Sequence, residues 1–101
     1  VDVIELGMGL NDRDFILAAA RTLAERGLNR VLIEGGASIA GAFLKAGLVD
    51  QVAWFRAPAV IGADGLGAVS DLQATDLAAI TRFKRRETLA LGDDQVDFLE
   101  R

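Results

Sequence analysis

The stretch Ile33-Glu34-Gly35-Gly36-Ala37-Ser38-Ile39-Ala40-Gly41, continued by Ala42-Phe43-Leu44-Lys45-Ala46-Gly47-Leu48-Val49-Asp50, decides the reading of this chain. Val31-Leu32-Ile33 before it is a continuous apolar run, the pattern of an interior strand covered on both faces. Two glycines then break the strand, and a helix is expected from Ser38 to Ala46, with Ile39 and Phe43 on one face and Gly47 ending it. A strand that turns through glycines into a helix forms an anion site. Glycine lets a ligand approach the backbone, and the unpaired amides of the new helix face outward with the positive end of its dipole.

The motif is neither G-x-G-x-x-G nor a P-loop, and a glycine pair in this position serves packing about as often as phosphate binding. Glu34 adds information. It stands at the carboxyl end of the expected strand, where open α/β sheets bind ligands, and a carboxylate buried there would need a donor-rich partner.

Upstream, Val1 to Leu6 reads as a short strand, and Gly7-Met8-Gly9 breaks it. Asn11 is a good helix N-cap with Asp12 and Asp14 behind it, so a helix is expected from Asp12 to Arg26. Its apolar stripe is Phe15, Ile16, Ala19, Ala20 and Leu23, and Gly27 is the stop. Downstream, Val49 to Ile61 is rich in strand formers, although Pro58 cannot donate to a ladder and implies a bulge or an edge. Gly62 to Gly67 is a flexible connection that could also cover a cofactor, and a helical turn is expected from Thr75 to Ala79. Arg82 to Leu91 and Gln95 to Glu100 read as two strands joined at Gly92-Asp93-Asp94, a hairpin turn. Strand alternation sends Trp54 and Phe55 to opposite faces, each as core or dimer interface, and splits Arg82, Lys84, Arg85 and Arg86 between faces as a solvated surface.

Composition excludes several classes of function. The 101 residues are 51% hydrophobic and 26% charged, an ordinary globular balance with α/β element order. With 15 acidic against 11 basic residues, the net charge of −4 opposes general attraction to nucleic acid or an anionic membrane. The chain has no cysteine and no histidine, so disulfides, thiolate nucleophiles, imidazole bases and a zinc deaminase centre cannot lie within it. No apolar run approaches the ~18 residues of a membrane span, and the first residues given show no basic region followed by an apolar signal core; the expectation is a soluble, cytoplasmic protein. The chain opens inside a strand-like segment, which reads as a portion of something longer.

The segment from Glu34 to Asp50 resembles the reductase domain of the bifunctional deaminase-reductase of riboflavin biosynthesis, a domain related in fold to dihydrofolate reductase. The pattern is Val31-Leu32-Ile33-Glu34-Gly35-Gly36, then Gly41-Ala42-Phe43-Leu44-Lys45-Ala46-Gly47-Leu48-Val49-Asp50, then Ala57-Pro58 with Ile61-Gly62 at the family's spacing. The helix before it and the Gly92-Asp93-Asp94 hairpin agree, so the resemblance covers essentially the whole chain. A close variant of the family pattern has Gly-Gly where Gly62-Ala63 stands here.

The resemblance implies residues 1–101 as the C-terminal half of a dihydrofolate reductase-like domain: a mixed sheet flanked by helices and ending in an antiparallel hairpin. It also implies NADPH-dependent reduction of the ribosyl chain of 5-amino-6-(5-phosphoribosylamino)uracil to a ribityl chain, and a homodimer. On that reading Glu34 contacts substrate, while Gly36, Ala37, Ser38, Ile39, Ala40, Gly41 and Ala42 hold the cofactor phosphates. The family's first strand would lie between the strand ending at Glu34 and the one starting near Gln51. Without it the chain would have two unpaired strand edges and little or no activity alone. Reduction of another pterin or pyrimidine, and a non-catalytic oligomerisation or regulatory module of the same fold, are the alternatives.

Overall fold

A computed structural model describes residues 2–7 and 9–101. Its elements are α1 (Asp12–Glu25), α2 (Ala37–Lys45), β1 (Gln51–Arg56), β2 (Lys84–Leu91) and β3 (Asp94–Glu100). The chain divides into two compact units, Val1–Gly47 with Ala68–Leu72, and Leu48–Gly67 with Gln73–Arg101. The α/β class and the closing hairpin are as the sequence indicated.

In the first unit, α1 starts where its cap residues dictate. The Asn11 side chain accepts from the Asp14 amide at 2.8 Å, an N-cap bond, and its Nδ2 donates to Asp14 Oδ2 at 2.8 Å, which holds the capping side chain in place. At the other end Gly27 takes φ +84, its amide donates to Ala24 O, and the Leu28 amide donates to Leu23 O. Those two bonds define a Schellman motif, which glycine accommodates without a Cβ penalty. Ile16 is buried on the inner face of α1, and α1 packs against α2. Ile4 and Leu6 line an apolar depression with Ala19, Thr22 and Leu23 of α1.

Two expected strands do not form in this unit. Residues 2–6 and Val31-Leu32-Ile33 carry no ladder, and Leu32 is 80% exposed rather than interior. Strand propensity and an apolar run favour an extended chain, but a strand requires a partner backbone, and the described residues supply none to either segment. Val1 and Met8, which belonged to the first strand and the glycine break, lie outside the described residues.

The second unit is a three-stranded antiparallel sheet in the order β1-β3-β2. β3 is central. β2 and β3 meet at a two-residue turn, with Leu91 paired to Asp94 and Gly92 at φ +64. Glycine at a positive-φ first turn position is the type II′ pattern, whose twist suits a hairpin. Register places Trp54 and Thr88 either side of Asp97 on one face, and Phe55 and Leu89 either side of Val96 on the other. Val96 is 1% exposed, and burying a valine to that degree stabilises by roughly 1.5–3 kcal/mol. Phe55, at 64% exposure, is not core within this chain, and neither is Trp54.

A bulge between Arg85 and Glu87 interrupts the outer strand, and Arg86 pairs with Glu100 at 3.0 Å. β1 is shorter than the expected Val49–Ile61 strand, because Pro58 has no N–H to donate. The Ala59 amide instead bonds to Ala57 O at 2.8 Å, a γ-turn centred on that proline. The helical turn expected at Thr75–Ala79 is a single turn closed by the Ala79 amide on Asp76 O and Oδ1, without a helix.

No helix among the described residues is long and apolar enough to cross a membrane. Nor do any three His, Cys, Asp or Glu side chains among them form a metal-binding group.

Candidate functional site

The turn that opened the sequence reading lies at the start of α2. Gly36 is its N-cap, at φ −60 and ψ −172, and makes no side-chain capping bond. The first intrahelical bond runs from the Ala40 amide to Gly36 O at 3.2 Å. The amides of Ala37, Ser38 and Ile39 therefore precede the helix's own acceptors, and they carry the positive end of the dipole.

The two glycines have different reasons to be glycine. A Cβ on Gly35 would come within 3.1 Å of the Ile39 side chain, so Gly35 permits the approach of the chain to its own helix. A Cβ on Gly36 would meet nothing within 4 Å, and its φ suits any residue. Neither backbone strain nor packing within the chain calls for glycine at 36. What its missing side chain leaves is open space beside three amides that lie ahead of the helix's first acceptor, which fits a phosphate group arriving from outside.

The structure distributes the remaining expected site residues along one and a half turns. Glu34 is exposed two residues before the cap, so it bears no burial penalty and needs no pairing to stand there. Ser38 and Ile39 are exposed in the first turn, whereas Ala40, Gly41 and Ala42 follow deeper in the helix, and Gly41 is buried. Gly41 packs under Ser70: a Cβ there would overlap the Ser70 hydroxyl, and the Ser70 amide donates to Ala37 O at 3.1 Å. Sequence reasoning did not find Ser70. A lone glycine inside a helical pattern signals a close approach, but says nothing about what approaches.

A second polar cluster was also missed. Asp97, on β3, is 7% exposed and is the one charged side chain buried among the described residues. Arg56 Nη2 donates to its Oδ2 at 2.8 Å, while Thr88 Oγ1 at 2.7 Å and Gln95 Nε2 at 3.2 Å donate to Oδ1. The Thr88 hydrogen bond is the largest influence holding the carboxyl below its ordinary pKa of 3.8; Gln95, Arg56 and Arg85 add to it, and desolvation opposes them.

Comparison with known proteins bears on both units. The family described as the RibD C-terminal domain matches residues 15–96. The riboflavin biosynthesis protein RibD of Escherichia coli is 35% identical over 72 residues, covering 71% of this chain and 20% of the relative. RibD of Bacillus amyloliquefaciens is 45% identical over 51 residues, 50% of this chain and 14% of the relative. The solved structure of Acinetobacter baumannii RibD superposes with a TM-score of 0.74 at 26% identity, over 92% of this chain and 25% of that one. The chain thus spans about a fifth of the length of the E. coli relative.

Proposed function

The chain belongs to the RibD C-terminal domain family, and from that premise we propose that it is the C-terminal part of a reductase domain serving riboflavin biosynthesis, acting with NADPH on 5-amino-6-(5-phosphoribosylamino)uracil. The observation that carries the reading is the open, uncapped start of α2 at Gly36.

In this reading the amides of Ala37, Ser38 and Ile39 bind a phosphate of the dinucleotide, with Gly36 leaving room for its oxygens. Ala40, Gly41 and Ala42 form the helix behind those amides, and their aligned peptide dipoles add to the positive field at its start. Glu34 accepts a hydrogen bond from a substrate N–H or O–H. NADPH, when bound, supplies the hydride. The chain's own contribution is orientation: fixed donors that need no rearrangement hold the phosphate, and a carboxylate holds the substrate at a set distance from it along the backbone. The reading includes a homodimer as the working assembly.

The test is made on the full-length natural protein. Purified enzyme is mixed with NADPH and the phosphoribosylaminopyrimidine, and nicotinamide absorbance is followed. Substrate-dependent loss of absorbance, faster with NADPH than with NADH, is the expected result. Oxidation that does not depend on the pyrimidine, or none at all, overturns the proposal.

A further inference from the structure

The start of α2 is held from outside by a segment far along the chain. Ala68–Leu72 belongs to the same compact unit as α2 and reaches that helix through the Ser70 amide, which donates to Ala37 O at 3.1 Å. Ala37 is the first residue of α2, so its carbonyl is also the ladder acceptor for the amide four residues on, that of Gly41. A carbonyl oxygen has two lone pairs, and the Ser70 amide takes the second.

Ser70 can reach that carbonyl because residue 41 is glycine. A Cβ at position 41 would overlap the Ser70 hydroxyl and stand 3.3 Å from its Cβ and 3.5 Å from its amide nitrogen. Any other residue there would push the segment off Ala37 O while leaving the helical bond in place.

The Ala37 carbonyl and the Ser38 amide are the two ends of one rigid peptide plane. At the start of a helix the amide end points out of the open turn, and Ser38 is the middle of the three donors that the reductase reading assigns to phosphate. A second hydrogen bond on the carbonyl fixes the tilt of that plane and, by polarising it, strengthens the N–H at its other end.

We propose that Ser70 is a positioning residue for the phosphate site: its backbone amide, admitted by Gly41, holds the Ala37–Ser38 peptide so that the Ser38 amide is aimed at a cofactor phosphate. The inference rests on the reductase reading, which places NADPH at the start of α2.

The full-length natural protein and its variants are titrated with NADPH by calorimetry and melted in parallel. Gly41→Ala, which drives Ser70 away, is expected to weaken NADPH binding by about tenfold, because a charge-assisted hydrogen bond loses its aim. Adding Ser70→Gly to Gly41→Ala removes the obstructing hydroxyl and Cβ but keeps the amide of residue 70, so most of the lost affinity is expected to return. Gly92→Ala is the control for lost stability: it strains a turn in the other unit and is expected to lower the melting temperature with NADPH affinity unchanged. Undiminished affinity in Gly41→Ala, no recovery in the double variant, or an equal loss in Gly92→Ala overturns the proposal. If Gly41→Ala does not fold, Ser70→Pro, which has no amide hydrogen to donate, decides: affinity equal to the parent's overturns the proposal. Loss of affinity in Gly36→Asp without loss in Gly41→Ala strikes the role of Ser70 alone, whereas a parent that binds no NADPH strikes the reductase reading and this inference with it.

Discussion

Gly41 lies directly beneath Ser70, so close that a single added methyl would overlap the serine hydroxyl. Two effects compete in Gly41→Ala. Alanine gains about 1 kcal/mol of helix propensity over glycine, and overpacking costs about 1–3 kcal/mol. The variant is expected to lose stability on balance in urea denaturation. In a Ser70→Ala background the overlap with the hydroxyl is removed and a 3.3 Å approach to the residue 70 Cβ remains, so the same substitution is expected to cost clearly less or to raise the midpoint. A midpoint that rises in both backgrounds would show that Ser70 does not crowd the helix.

Gly36 should behave differently. With φ −60 and open space around it, Gly36→Ala meets no clash and is expected to cost only what alanine loses as an N-cap, about 0.5–1 kcal/mol. Gly36→Asp has the opposite effect: aspartate is a strong N-cap and complements the dipole, contributing about 0.3–1 kcal/mol to the helix. The same carboxylate would occupy the position proposed for the phosphate, so NADPH affinity is expected to fall by about tenfold or more while the melting temperature holds or rises. Parallel melting curves and cofactor titrations followed by Trp54 fluorescence check both halves. Undiminished affinity in Gly36→Asp would move the phosphate elsewhere.

The lowered pKa of Asp97 fixes a direction for acid sensitivity. Its proton is bound less readily in the folded chain than in the unfolded one, so the group contributes stability above its unfolded value of 3.8, lost as pH falls through the lower folded value. The difference in urea midpoint between the parent and Asp97→Asn is expected to stay flat from neutral pH down to about pH 5 and to shrink below 3.8. A difference that shrinks at higher pH would assign the acid response to another carboxylate.

At Gly92, φ +64 places the backbone where an L side chain is strained by about 1–2 kcal/mol. Gly92→Ala is expected to lower the denaturation midpoint accordingly. Because β3 pairs on both sides, the loss should appear in the exchange of amides facing β1 as well as those facing β2. Loss confined to the hairpin would mean that β1 and β3 hold without it.

The elements legible in the sequence are those written in local chemistry. Asn11 with Asp14 and then Gly27 bracket α1, and Gly92-Asp93 announces the hairpin, because caps and turns act over three or four residues. Leu32 shows the limit: its run reads as strand, but a ladder depends on a distant partner that the run itself does not encode. Asp97 shows it again. Alternation alone marks it as a polar-face residue, and its burial becomes visible only once the order β1-β3-β2 sets Arg56 and Thr88 on either side. At the candidate site, Gly36 was legible as chemistry, whereas the contact of Gly41 with Ser70 was not, since 29 positions separate them.

The bulge in β2 gives the sheet a direction. Lys84, Arg85 and Arg86 place basic side chains on both faces of that strand, and the extra residue twists its backbone out of line, so another strand arriving there would meet cationic neighbours and mismatched amides. β1 has neither obstacle: six residues pair in unbroken register on one side. Of the two edges of this sheet, the one along Gln51–Arg56 is therefore the better suited to accept a further strand.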